Sequence, residues 1–340
     1  MKDTAYLVGF LLISGALLII GRDQLPSSTV LTWGITFGAT AAVAVLLVSL
    51  YRVQLELKHS RRELARKDAE LTFAREVQAA LFPRTFPRDR GLSFSAICIP
   101  AQSISGDFYD VVECPDGRIA VCLADISGKG VSAAILMANV QARFRALIET
   151  HDSLSEVCGR LNDHISGFTD SGKFATFFVA QWRPGSHRME YVNAGHQFPV
   201  VLGATDSLPD QGGPPLGLFA GVKYQSGSIG LRAAETIVLY SDGIVEAHDE
   251  YDEEFGNERL QNVLEASQDQ TLREMQKAVL EAVSQWTRKD PDDDMTLLMV
   301  RVDDEERLMK PSMDEAVQDS KTTRDRKDPL NPVAVEEIRG

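Results

Sequence analysis

IAVCLADISGKG (119–130) carries an apolar run into a glycine turn and sets one aspartate, Asp125, at the junction. TIVLYSDG (236–243) follows the same pattern, with Asp242 closing the run just before Gly243. Asp107 follows Ser105-Gly106 and leads into FYDVV, and Asp293 opens the run MTLLMV (295–300). Strand interiors disfavour Asp, so carboxylates at four strand ends require a cause beyond propensity. Each taken alone reads equally well as a turn former that bonds its own following backbone. Carboxylates gathered without Lys or Arg repel one another unless a hard divalent cation holds them. Taken together, the four contexts favour a metal site.

Around these junctions the pattern is that of a folded domain. Strand-like runs occupy 92–99, 107–112, 118–125, 174–182, 189–193, 198–202, 236–241 and 295–302. Helical periodicity fits 131–149, 153–168, 257–266 and 271–288. Strands, then two helices, then more strands and helices predict an α+β layered domain with largely antiparallel pairing. Val131 to Thr150 is the best helix, with Ile135, Val140, Phe144 and Leu147 expected on one face.

The first 51 residues differ in composition. Thr4 to Gly21 is uncharged and apolar, and RDQLPSS (22–28) separates it from a second uncharged run, Thr29 to Tyr51. The second run is long enough to cross a bilayer and the first is at the short end of that range. A cleaved signal peptide is the alternative for the first run, although no small-x-small site follows it. Trp33 and Tyr51 lie near the ends of the second run, as aromatic belts do. Arg52, Lys58, Arg61, Arg62, Arg66 and Lys67 follow, which places the C-terminal part in the cytoplasm by the positive-inside rule. The expectation is a hairpin of two transmembrane helices (about 4–21 and 29–51), making a multi-pass anchor in contact with lipid.

Residues 52–86 form the linker, read as one polar helix over 52–82 that ends at Phe82-Pro83, because a residue before Pro leaves the helical region. Leu50, Leu57, Leu64 and Leu71 recur every seven residues, as in the seam of a dimeric coiled coil. Ser60 and Lys67 at partner positions weaken that seam, and a solvated helix with alternating charges is the other reading. The globular domain is placed at 87–302, and the charged, proline-containing tail 303–340 is expected to be disordered.

The chain of 340 residues carries a formal charge of −14, which argues against nucleic acid as a partner, since phosphate binding needs a basic face. Its four cysteines, Cys98, Cys114, Cys122 and Cys158, form no zinc-like spacing. None is followed by Arg six positions later, which excludes the phosphate loop of cysteine-based phosphatases. Cys98 and Cys122 lie in apolar runs and read as core thiols.

AREVQAALFP (74–83), SGDFYD (105–110), ADISGKG (124–130), YVNAGH (191–196), PPLGL (214–218), YSDG (240–243), EFG (254–256) and DDMT (293–296) together resemble the SpoIIE-type bacterial serine phosphatases, a branch of the metal-dependent (PPM) protein phosphatases. The resemblance spans about residues 74 to 302 and implies an α-β-β-α layered sandwich with a centre of two divalent ions, Mn²⁺ or Mg²⁺, at one edge. By matching motif, Asp125 would bridge both ions and the Ile126 carbonyl would join one. Asp242 and Asp293 would hold the second ion, and Asp107 would support the first. Asp292 and Asp294 flank Asp293, so the choice within that run stays open by one residue. The implied reaction is phosphomonoester hydrolysis by a water held between the ions, without a covalent enzyme intermediate. The implied substrate is a phosphoserine or phosphothreonine on a regulatory protein, such as an anti-sigma-factor antagonist. Such an enzyme would face the cytoplasm from the bacterial inner membrane as a homodimer, regulated through its linker helix.

Lys129 is placed either near substrate phosphate or in solvent. DISGK lacks the histidine of the DGHGG motif of animal relatives, so the general acid is unassigned. His196 reads as a hydrogen-bonded structural histidine more readily than as that acid. HDEYDEE (248–254) lacks the alternation and central Gly of a calcium loop and is expected to be a solvated or substrate-facing loop. A phosphoprotein-binding scaffold without hydrolysis is the runner-up. A sensor histidine kinase would need an ATP lid, which is missing after His59.

Overall fold

A computed structural model describes residues 26–303 except 89, 169–171 and 204–211, together with scattered positions between 13 and 20 and with Ala334–Val335. The chain falls into two compact units, Met1–Glu70 and Leu71–Gly340.

Helix α1 (Ser27–Ala79) contains the second apolar run and the linker as one element. Its apolar part is long enough to cross a bilayer, with Leu31, Ile35, Leu46 and Leu47 exposed. Thr32, Thr36 and Thr40 donate their hydroxyls to the carbonyls of Ser28, Thr32 and Thr36 at 2.8–2.9 Å. These polar groups therefore need no water, as a lipid environment requires. Most of the first apolar run, 4–21, lies outside the described residues. The helix ends at Ala79 rather than Phe82, because Leu81 N–H turns back to the Gln78 carbonyl at 2.9 Å. Phe82 instead packs on Tyr109, ring centroids 5.0 Å apart.

The second unit is two stacked sheets. One orders its strands as β11 (Ala334–Val335), β1 (Leu92–Ile99), β10 (Met295–Val302), β9 (Thr236–Tyr240) and β6 (Val200–Leu202). The other runs β2 (Phe108–Glu113), β3 (Ile119–Ile126), β4 (Ala175–Trp182), β5 (Arg188–Ala194) and β7 (Gly212–Gly213), with β8 (Gly227–Gly230) also on β5. All neighbours are antiparallel except β5 and β7.

The unbroken apolar runs follow from burial on both faces. In β10, Leu298 and Val300 enter the core shared with the second sheet, while Leu297 and Met299 join the outer core. In β9, Ile237 and Leu239 face inward, and Val238 and Tyr240 outward. This period of two places helices on both sides. α2 (Val131–Ile148) and α3 (Leu154–Phe168) cover the second sheet. α5 (Gly256–Ala266) and α6 (Leu272–Thr287) cover the first, and α4 (Asp242–Val245) is a single turn after β9. The result is the α-β-β-α order.

α6 opens on a capping box between Thr271 and Glu274, which satisfies two otherwise free N–H groups. α2 buries Ala133, Met137, Val140, Phe144 and Leu147, but Ile135 is 63% exposed. Ile135 therefore leaves the predicted face, which follows 133, 137, 140, 144 and 147 instead. All four cysteines are buried and free.

Candidate metal centre

Each sheet delivers two carboxylates to one edge. In the second sheet, Phe108 of β2 pairs with Ala124 of β3, so Asp107 and Asp125 emerge side by side. In the first sheet, Leu297 of β10 pairs with Tyr240 of β9, and Ser241 N–H donates to the Thr296 carbonyl at 3.0 Å. The segments bearing Asp242 and Asp293 leave that pairing together. Gly243 permits their approach, because a Cβ there would lie 2.2 Å from the Asp294 carbonyl oxygen. Gly106 lies over the Ile126 carbonyl, where a Cβ would come within 3.1 Å.

The three consecutive aspartates 292–294 have different partners. Asp294 accepts from Ala101 N–H (2.8 Å), Ser105 Oγ–H (2.7 Å) and Gly106 N–H (2.6 Å). Its carboxylate is thereby occupied in fixing the loop before Asp107. Asp292 is exposed and pairs with Lys289 at 2.6 Å. Asp293 is half exposed and pairs with Lys129 at 2.9 Å.

Ser105 is a hub beneath Asp107. Its Oγ accepts from Asp107 N–H at 2.9 Å, and its backbone makes a two-way bond with the Gln78 side-chain amide at 2.7 and 2.9 Å. Gln78 belongs to the last turns of α1, where Arg75 also donates to the Ser103 carbonyl at 2.8 Å. Gln141 of α2 donates to the Leu81 carbonyl and to Asp110. Asp110 is fully buried and held by Arg145 at 2.6 and 2.7 Å.

Burial and mutual repulsion act on the acids together. Asp107 is 1% exposed and receives a 2.7 Å bond from Thr296 Oγ1. Burial first, then the Asp125 charge, pushes its carboxyl well above the usual range. Asp125 is pushed up to about 7, by burial and then by Asp242. Asp242 is raised by burial and then by Asp293. Among the described residues no three acidic, His or Cys side chains close on a common point. The arrangement is two couples of oxygen donors, Asp107 with Asp125 and Asp242 with Asp293. Oxygen-only, with Asp107 buried and Lys129 on Asp293 as the one basic partner among the described residues, this set fits hard divalent cations, which can complete their shells with water.

His196 lies between the sheets behind this edge. Its Nδ1 shares a 2.8 Å hydrogen bond with Thr176 Oγ1, and Thr176 pairs with Asp125 across the ladder. Its Nε2 is buried, and the Tyr240 backbone is the polar group that acts on the ring. Burial pushes the ring down to about 4, which favours its neutral form at pH 7. The 248–254 loop is a tight hairpin in which Asp249 accepts from Tyr251 and Glu253 N–H groups and His248 bridges to Glu254.

Sequence reasoning singled out Asp107, Asp125, Ile126, Asp242 and Asp293, and the fold brings these segments to one edge. It did not single out Gln78, Ser105, Ser241 or Thr296, and it had Asp294 only as an alternative to Asp293. It also missed the Asp110–Arg145 pair, although an Asp inside a strand was itself a signal.

The layering is shared with solved proteins. The SiaA-PP2C domain of Pseudomonas aeruginosa superposes with a TM-score of 0.58 at 18% identity, covering 71% of this chain and 98% of that one. The RsbU and RsbW domains of Rv1364c from Mycobacterium tuberculosis superpose with a TM-score of 0.56 at 21% identity, covering 66% and 63%. At such identities the likeness is one of fold. That fold is the PP2C-like α+β fold of the metal-dependent phosphatase structures. Within that fold class the family model for Stage II sporulation protein E (SpoIIE) matches residues 115–303, and the chain belongs to this family. It is 28% identical over 236 residues to the phosphoserine phosphatase RsbU of Bacillus subtilis, covering 68% of this chain and 70% of that protein. To RsbP, a phosphoserine phosphatase of the same organism, it is 25% identical over 185 residues, covering 52% and 45%.

Proposed function

We propose that the chain is a metal-dependent protein serine/threonine phosphatase, anchored to the bacterial cytoplasmic membrane, that acts on a phosphorylated regulatory protein. The observation that carries the reading is the meeting of two acid couples, one from each sheet, at a single edge. Asp125, whose carboxyl interacts with Asp107 and with Asp242, would take the bridging role, and Asp242 and Asp293 would hold the second cation. Asp107 would support the first cation with the Ile126 carbonyl. Asp294 is assigned to structure, since its oxygens already serve three internal donors. Two divalent cations, Mn²⁺ or Mg²⁺, supply Lewis acidity toward water and the phosphoryl oxygens when bound. The protein's own part is to hold the acids pre-aimed at one edge, which avoids reorganisation during reaction.

The similarity to RsbU and RsbP supports a phosphoserine substrate on a partner such as an anti-sigma-factor antagonist. The apolar half of α1 supports an anchor, and the basic residues that follow it support a cytoplasmic catalytic domain. Leu50, Leu57 and Leu64 are exposed, which supports pairing of two linker helices. Gln78 supplies a route from that helix to the Asp107 loop.

The test is hydrolysis of a phosphoserine peptide with Mn²⁺, with a chelator, and by Asp242→Asn. Hydrolysis should require Mn²⁺ and be lost in the variant, and an unchanged rate in Asp242→Asn contradicts the reading. The open arrangement of the acids favours one alternative, a membrane scaffold that binds a phosphoprotein without hydrolysing it. Absence of hydrolysis by every form, with Mn²⁺ bound, selects that scaffold.

A further inference from the structure

Among the described residues Lys129 is the only basic side chain in an ion pair with any of the four acids. Its Nζ lies 2.9 Å from Asp293 Oδ2 and donates to the Asp292 carbonyl at 3.0 Å. The residue stands between Gly128 (φ 96) and Gly130 (φ 77), so the glycine turn fixes where its side chain starts. Lys129 and Asp293 line a cavity of about 330 Å³ together with Gly243, Glu246, His248 and Lys289.

The pair is built to exchange. Its side chains are 49% and 52% exposed, and ion pairs so open to water are weak. The Arg145–Asp110 pair is the contrast, because Asp110 is wholly buried and gripped at two points. A divalent cation brings twice the charge of an ammonium and tolerates a mixed shell of carboxylate and water.

We propose that Lys129 is a positioning residue for the second cation's acids, an internal counter-ion that holds Asp293 until a divalent cation takes it. This rests on the reading of the acids as a metal site. Lys129 keeps Asp293 aimed at the edge and limits its repulsion of Asp242, and it competes with the incoming ion. The concentration at which the enzyme loads its second cation is therefore set partly by this lysine.

Mn²⁺ titration of the full chain by calorimetry separates the possibilities, comparing the unaltered protein with Lys129→Gln, Lys289→Gln and Asp242→Asn. Lys289 lies on the same cavity wall and pairs with Asp292 at 2.6 Å, so its removal changes local charge without freeing Asp293. The expected result is that Lys129→Gln binds its weaker Mn²⁺ about threefold to tenfold more tightly, the scale of one half-exposed ion pair. Lys289→Gln should stay within about twofold of the unaltered protein by the same reasoning. Thermal unfolding should show Lys129→Gln less stable than the unaltered protein in chelator, with that difference shrinking toward zero in saturating Mn²⁺. Equal tightening by both lysine variants, or no tightening by Lys129→Gln, overturns the counter-ion role while loss of binding in Asp242→Asn leaves the metal reading standing. Full Mn²⁺ binding by Asp242→Asn overturns the metal reading itself, and the proposal with it.

Discussion

Asp294 and Asp293 are neighbours of the same type, yet one is occupied by the protein and the other is offered outward. Replacing Asp294 by Ala strands the N–H groups of Ala101 and Gly106 and the Ser105 hydroxyl, so the loop carrying Asp107 should slacken. Bonds to a charged acceptor contribute about 1.5–3 kcal/mol each, and thermal unfolding should show a loss on that scale together with reduced hydrolysis. An Asp294→Ala protein of unchanged melting temperature would contradict this division of labour. The acid couples predict a pH dependence as well. Asp125, raised to about 7 in the folded protein, ionises near 3.9 when unfolded. Between those values the folded state holds a proton that the unfolded state has released, so stability falls as pH rises. In chelator the melting temperature should drop from pH 5 to pH 8, and saturating Mn²⁺ should shrink that drop. The sequence displayed the strand-end pattern that finds Asp125 and Asp242. It did not display the sorting of 292–294, because the donors that claim Asp294 lie about 190 residues earlier in the chain.

At the scale of elements, the strands and helices were largely legible because both faces of β9 and β10 are buried and their runs are unbroken. The two-residue strands β7 and β11 were not, since pairs such as Gly212-Gly213 carry no side-chain pattern. The end of α1 was misplaced by three residues because its last bonds tighten before Pro83 is reached. That end is also where the helix meets the site. Gln78→Ala would remove both bonds to the Ser105 backbone, leaving a buried N–H and C=O unpaired at about 1–3 kcal/mol each. The expected outcome is faster amide exchange at Ser105 and Gly106 with β3 still protected, together with weaker Mn²⁺ binding. Unchanged exchange in the loop would show that α1 does not support it.

For the whole molecule, one helix runs from the apolar segment to the phosphatase domain, and its Leu50–Leu57–Leu64 spacing supports a dimer. Comparing the full-length protein with residues 70–305 should show a dimer and a rate that differs from that of the monomeric fragment. Equal rates from a monomeric full-length protein would remove the linker from the account. The central claim concerns the acidic edge, and Asp125 is its most exacting point because both couples depend on it. The measurement is hydrolysis of a phosphoserine peptide by Asp125→Asn in saturating Mn²⁺, with folding checked by circular dichroism. Loss of the main electrostatic support of the transition state predicts a fall of about a hundredfold or more. A folded Asp125→Asn protein that hydrolyses at the unaltered rate would contradict the claim.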